Sequence, residues 1–172
     1  MNDRHKVWYL RHIDLFASVT DAEIEEIAQL LGDYHMPAGT PLLRDRQCNR
    51  VCLIKEGAVR IHAGDSRHPV TLALLGPGKV FGLSATVGDN DSHTQATTLI
   101  PSYVCFASWS AMMDVFIQYP QVMVKMTSAL ADGLFQAETW RARLGMSSPC
   151  HRLASLLVEL CDEFGEPTAT GR

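Results

Sequence analysis

No apolar run in the sequence approaches the ~18 residues that a membrane-spanning helix needs. Only Val7 to Leu10 form an apolar stretch near the charged N-terminus, too short for a secretory signal, so the chain reads as cytoplasmic with no membrane partner. Positive charge is scarce: 15 Lys and Arg against 19 Asp and Glu leave a net charge of -4, which offers nucleic acid no general attraction. Any contact with DNA is therefore expected to lie outside this stretch of chain. Cysteines are few and odd in number, five in all. A chain of 172 residues buries roughly two-thirds of its unfolded surface without staples, so they need not be a disulfide framework. Internal repeats and low-complexity tracts are absent, and 47% hydrophobic with 20% charged residues is the composition of an ordinary folded domain.

The motifs of common enzyme chemistries are missing too. There is no phosphate-cradling glycine loop of the Walker type. Ser84 and Ser108 lack a nucleophile elbow. A metal-dependent cupin needs a close His-x-His pair with a nearby Glu, whereas His62 and His68 are six apart across Gly64-Asp65. No catalytic residue, metal site or enzymatic activity is expected.

What is present changes grammar along the chain. Residues 13–36 read as helical, with Asp21 as a cap, Glu23 and Glu25 in the first turn, and Ile24, Ile27, Ala28 and Leu31 at helical spacing up to the stop at Gly32. From Met36 to Phe106 glycine or proline interrupts the chain every eight to twelve residues, at Pro37-Ala38-Gly39, Glu56-Gly57, Gly64-Asp65, Gly76-Pro77-Gly78 and Gly88-Asp89. Between the breaks Val59, Ile61 and Ala63 alternate with Arg60 and His62, and Val70, Leu72 and Leu74 alternate with Thr71 and Ala73. These are half-buried strand patterns, and many short strands at even spacing predict a sandwich or jelly roll.

From Ser110 the period is helical again. Pro120 suits a helix start and no proline follows until Pro149, which predicts a helix of roughly 25 residues, about 37 Å long. Met123, Met126, Leu130, Leu134, Ala137, Arg141 and Leu144 recur along it at steps of three and four. A stripe this long calls for a partner helix, most simply its own copy in a parallel homodimer. After Gly145, Ser148 caps a second helix with Leu153, Leu156, Leu157, Leu160 and Cys161 on one face, ending at Phe164-Gly165.

This order of elements resembles the Crp/Fnr family of bacterial transcription regulators. The likeness rests on Leu15-Phe16 before the Asp21 helix, Pro37-Ala38-Gly39, Ile54-Lys55-Glu56-Gly57-Ala58-Val59-Arg60, Leu75-Gly76-Pro77-Gly78 with Phe81-Gly82, and His151-Arg152-Leu153-Ala154 with Leu157. It implies an α+β fold: an antiparallel jelly-roll β-sandwich of the cyclic-nucleotide-binding kind, with an N-terminal helix and a long C-terminal dimerisation helix. It implies a sensor domain at 1–109, a dimerisation region at 110–145 and, at 146–172, the start of a DNA-binding domain. It also implies a homodimer, with DNA and RNA polymerase as partners. The helix-turn-helix reader of DNA would be expected to begin where the chain stops, at Arg172, which would account for the missing basic charge.

Nucleotide-binding members of that family follow a glycine with Glu for the ribose and an Arg-Ser or Arg-Thr pair for the cyclic phosphate. Here Gly82 is followed by Leu83-Ser84, and His93-Thr94 falls near the arginine position. Leucine cannot accept from a hydroxyl, and neutral histidine does not replace a guanidinium fork, so a cyclic nucleotide is not expected in the usual mode. Ala137-Glu138 stands where a pocket-closing hydroxyl would be. Residues 1–47 contain no cysteine, which removes the iron–sulfur version. Haem stays open as a cofactor, since His5, His12, His35, His62, His93, Cys48, Cys52 and Cys105 each offer an axial ligand, though Cys52 and Cys105 read more simply as buried core. A redox role for Cys150 or Cys161 would need a partner cysteine from elsewhere. The expected ligand pocket comprises Gly82, Leu83, Ser84, His93, Thr94, Leu134, Ala137 and Glu138. The expected dimer interface comprises Met123, Met126, Leu130, Leu134, Ala137 and Leu144. The chain is either a ligand-gated regulator or a constitutive dimer whose pocket its own side chains fill.

Overall fold

The glycine-punctuated region folds as strands. The computed structural model describes residues 3–43, 50–64, 69–83, 94–146 and 148–165. Among these, β1 (Gly32–Met36), β8 (Ser102–Ser108), β3 (Arg50–Glu56) and β6 (Val80–Phe81) form one antiparallel sheet in that order. A second antiparallel sheet is ordered β2 (Pro41–Leu43), β7 (Gln95–Thr98), β4 (Val59–Ala63), β5 (Val70–Leu75). The two make the jelly-roll sandwich that the spacing of turn residues predicts. Gly57 turns β3 into β4 at a φ of 100°, and a Cβ there would overlap the Ser102 side chain, so only glycine fits.

The roll interior is apolar. Leu42, Leu43, Cys52, Ile54, Val59, Phe81, Ala96 and Val104 are buried together, with Met36, Ile61, Leu75 and Phe106 packed against them. Each fully buried Val, Leu, Ile or Phe among them contributes about 1.5–3 kcal/mol. β3 is buried from Val51 to Lys55 because both of its faces are covered. Cys52 and Ile54 line the roll, and by alternation Val51, Leu53 and Lys55 face the other way.

The N-terminal segment differs from the expected single helix over 13–36. Helix α1 spans Asp3–Arg11, a 3-10 turn covers Asp14–Phe16, and helix α2 spans only Asp21–Leu30. Leu31 turns extended at φ -97°, ψ 123°, and Gly32–Met36 pairs with β8 from Gly32 opposite Phe106 to Met36 opposite Ser102. A sheet partner satisfying the backbone outweighs local helical preference there. The N-cap is Thr20, not Asp21: the Glu23 carboxylate accepts from both the Thr20 N–H and its hydroxyl at 2.7 Å. Those two bonds hold the Glu23 carboxyl below its usual range. At the end of α2 Lys6 Nζ donates to the carbonyls of Ala28 at 2.8 Å and of the C-cap Leu31 at 2.7 Å.

Strand β5 forms where predicted but presents the opposite face. Leu75 pairs with Val59 and Ala73 with Ile61, which turns Ala73 and Leu75 inward. Val70 and Leu72, read as the buried side, are 61% and 57% exposed. An irregularity between Ile61 and His62 gives β5 one extra residue against β4, and one residue of slip changes which side chains face the core.

Helix α3 (Trp109–Gln118) starts where Ser108 Oγ accepts from the Ala111 N–H at 3.1 Å, and it packs on β8 and β3. Helix α4 runs 27 residues from Pro120 to Met146. Helix α5 (Pro149–Phe164) is capped by Ser148, whose Oγ accepts from the His151 N–H at 3.3 Å. The chain divides into two compact units, Met1–Lys125 and Met126–Arg172.

Candidate functional site

The region expected to hold a ligand starts at the end of β6. Gly82 sits at φ 96°, and a Cβ on it would run into the carbonyl oxygen of Arg50. The glycine lets the chain cross β3 closely, and Leu83 is the last described residue before 94. Thr94 lies just before β7. Ser84 and His93 lie outside the described residues. Leu134, Ala137 and Glu138 are exposed positions on α4, in the second unit.

The chemistry available inside the roll is narrow. Its described lining carries no charged group, and the Thr98 hydroxyl is occupied, donating to Pro37 O at 2.7 Å while the Thr40 N–H donates to it at 2.8 Å. The sequence supplies no Lys or Arg between Lys79 and Lys125. A cyclic phosphate entering this roll would meet no fixed cation from the segment joining β6 to β7, and a buried unpaired anion costs several kcal/mol.

The candidate haem ligands are scattered among other partners. His12 Nδ1 lies 2.7 Å from Trp8 O, the His35 ring packs 4.7 Å from Tyr103, and His62 Nε2 is 3.1 Å from Thr97 Oγ1. Cys52 and Cys105 are buried core thiols at 0% and 1% exposure. Cys48 and His93 lie outside the described residues, as does the side chain of His5. Among the described residues no three His, Cys, Asp or Glu side chains come together as a metal site.

One polar cluster was not read from the sequence. Lys55, only 4% exposed, donates through Nζ to Asp33 Oδ2 at 2.9 Å. The Cys105 sulfur lies 3.9 Å from the other Asp33 oxygen. Tyr9 of α1 donates its hydroxyl to Ile54 O at 3.0 Å, and its ring lies 5.7 Å from the Lys55 ammonium. Burial, reinforced by the Asp33 charge, pushes the Cys105 thiol up to about 12. Burial likewise pushes Tyr9 up to about 12. The cluster ties β1, β3, β8 and α1 together and leaves no reactive thiolate at neutral pH. Its signal was Lys55 itself, a lysine directly after the apolar run Val51–Ile54.

The stripe on α4 is largely exposed in the single chain. Met123 and Leu130 are each 54% exposed and Leu134 is 61%. Ala137 and Arg141 are also exposed. Met126 departs from the expected interface, being 4% exposed and already buried within the chain. The side chain of Leu144 lies outside the described residues.

Comparison with known proteins gives this architecture its family. A family model described as the cyclic nucleotide-binding domain matches residues 35–119. The global nitrogen regulator of Synechococcus elongatus is 30% identical over 125 residues, 71% of this chain and 56% of that protein. Residues 35–119 belong to the cyclic nucleotide-binding domain family, and the chain is similar to regulators of the Crp/Fnr kind. The Thermus thermophilus catabolite activator protein superposes with a TM-score of 0.66 at 22% identity, over 90% of this chain and 73% of its own. The c-di-GMP responsive global regulator CLP of Xanthomonas campestris superposes with a TM-score of 0.73 at 16% identity, over 87% and 76%. At these identities the two structures speak for the fold alone. The chain spans about half the length of the curated Crp/Fnr relatives it matches, 56% in each case. Among the described residues no helix is long and apolar enough to cross a membrane.

Proposed function

We propose that this chain is the effector-sensing and dimerising portion of a DNA-binding transcription regulator. The observation that carries the reading is the 27-residue helix α4 following a cyclic nucleotide-binding-type roll, with Met123, Leu130 and Leu134 more than half exposed. Exposed large apolar side chains at steps of three and four along one helix are those a second copy covers. The likeness to global nitrogen regulators supports transcription control as the outcome. DNA would be read by a segment outside this chain, with RNA polymerase as a further partner. The first turns of α4 belong to the same unit as the roll, so a change inside the roll has a continuous helix through which to act on the pairing of two copies.

For the effector, cyclic AMP and cyclic GMP bound in the usual mode are disfavoured by the apolar lining and by the absence of Lys and Arg between Lys79 and Lys125. The same lining favours a second reading, a constitutive dimer whose roll its own side chains fill. A haem- or redox-responsive regulator of the same fold is a third. Thermal unfolding against cyclic nucleotides, haem and small aromatic acids separates them: a saturable rise in midpoint supports gating, and no response to any compound supports the filled roll. Sedimentation tests the dimer. Leu130→Glu with Leu134→Glu is expected to yield a monomer, and a wild-type chain that stays monomeric at every concentration overturns the dimer.

A further inference from the structure

The outer face of the second sheet carries a combination that the reading above does not use. Thr97, Arg60 and Leu74 lie in one cross-strand row over β7, β4 and β5. Beside the row are His62, bonded to Thr97, and Leu72, 57% exposed. The Nε of Arg60 is buried and has no hydrogen-bond partner. A buried guanidinium donor left unpaired is destabilising, a loss that a carboxylate would recover through two parallel bonds. The strands of this sheet contain no Asp or Glu, and Arg60 and His62 are their only ionisable side chains, so among the described residues these strands offer Arg60 no acid. β5 is also an edge: among the described residues it pairs with β4 alone.

We propose that this edge and face dock an extended, carboxylate-bearing segment of a partner protein. The segment adds as a strand beside β5, lays an apolar side chain against Leu72 and gives a carboxylate to Arg60. An added strand lies two strand spacings from β4, ~9.6 Å, a distance that an arginine and a glutamate side chain close together across Leu74. Backbone pairing supplies affinity, and the Arg60 fork supplies the choice of an acidic partner. The face points away from the roll interior, so this inference stands or falls independently of what the roll binds.

The test uses an acetylated, amidated five-residue peptide alternating valine and glutamate, and a second with glutamine in place of glutamate, titrated against the labelled full chain. The glutamate peptide is expected to bind saturably, shifting the Arg60 Nε–H signal and the β5 backbone amides. The glutamine peptide is expected to bind at least tenfold more weakly. Arg60→Gln is expected to erase the difference between the peptides, Arg60→Lys to restore only part of it, and Leu72→Ser to weaken both. Arg60→Gln breaks no hydrogen bond at Nε, so an unchanged melting midpoint shows that its effect is on docking. Binding of neither peptide, equal binding of both to the wild type, or shifts confined to other strands overturns the proposal. So does concentration-dependent broadening of β5 amides without peptide, which would assign the edge to a second copy.

Discussion

Replacing Lys55 with methionine is expected to be among the most damaging single changes in the roll. The ammonium is 4% exposed and sits 2.9 Å from Asp33 Oδ2, and the Asp33 side chain is 11% exposed. With Lys55 removed, the Asp33 carboxylate keeps, among the described side chains, the Cys105 thiol at 3.9 Å as a neighbouring donor. An uncompensated charge left in such a site costs about 3–5 kcal/mol, a large share of the 5–15 kcal/mol that holds a typical domain folded. Asp33→Leu strands the ammonium instead, with the Tyr9 ring at 5.7 Å offsetting about 1 kcal/mol. The double variant Asp33→Leu with Lys55→Met buries no charge and is expected within about 1–2 kcal/mol of the wild type, since apolar replacement of a buried pair is often neutral. Urea denaturation at one fixed protein concentration, followed by far-UV circular dichroism, gives all four stabilities and a coupling energy of about 3 kcal/mol or more. Single variants losing less than about 1 kcal/mol each, or a double variant equal to their sum, would show a pair solvated like a surface one and refute the reasoning.

Gly82→Ala should cost at least about 2 kcal/mol, because a non-glycine residue at φ 96° is strained and its Cβ meets the Arg50 carbonyl; a melt matching wild type would count against this close crossing. Tyr119 donates to the Glu26 carboxylate, and that bond is the main reason its hydroxyl is raised to about 12. The folded chain then keeps a proton that the unfolded chain releases at about 10, so the contribution is full below pH 10 and lost as pH rises toward 12. Tyr119→Phe should flatten the alkaline fall in stability over that window. Maleimide at neutral pH should label exposed Cys150 and leave Cys105 unmodified until denaturant is added, as quantified by intact-protein mass spectrometry; native labelling of Cys105 would contradict its burial.

Much of the architecture was legible from residue order, for reasons local to the chain. Glycines at turns, Pro120 and Pro149 at helix starts, and Ser148 as a cap act within a few residues, and each does in the structure what its chemistry dictates. The jelly roll follows from the even spacing of those breaks. The absence of Lys and Arg between Gly82 and Lys125 was legible too, since replacement of Arg and Glu by neutral residues removes charge whatever the fold.

Long-range pairing decided the rest. Residues 32–36 became a strand only because β8 lies beside them, seventy residues away in sequence. The apolar side of β5 turned outward because its register against β4 brings Leu75 opposite Val59, and no local pattern shows which of two alternating sets will find the core. Met126 is buried while its neighbours in the stripe are exposed, which depends on what the chain packs against it. The ion pair of Lys55 with Asp33 joins residues on strands separated by β8. Order along the chain determined which elements form; which faces they bury, and which charges they bring together, depended on neighbours distant in sequence.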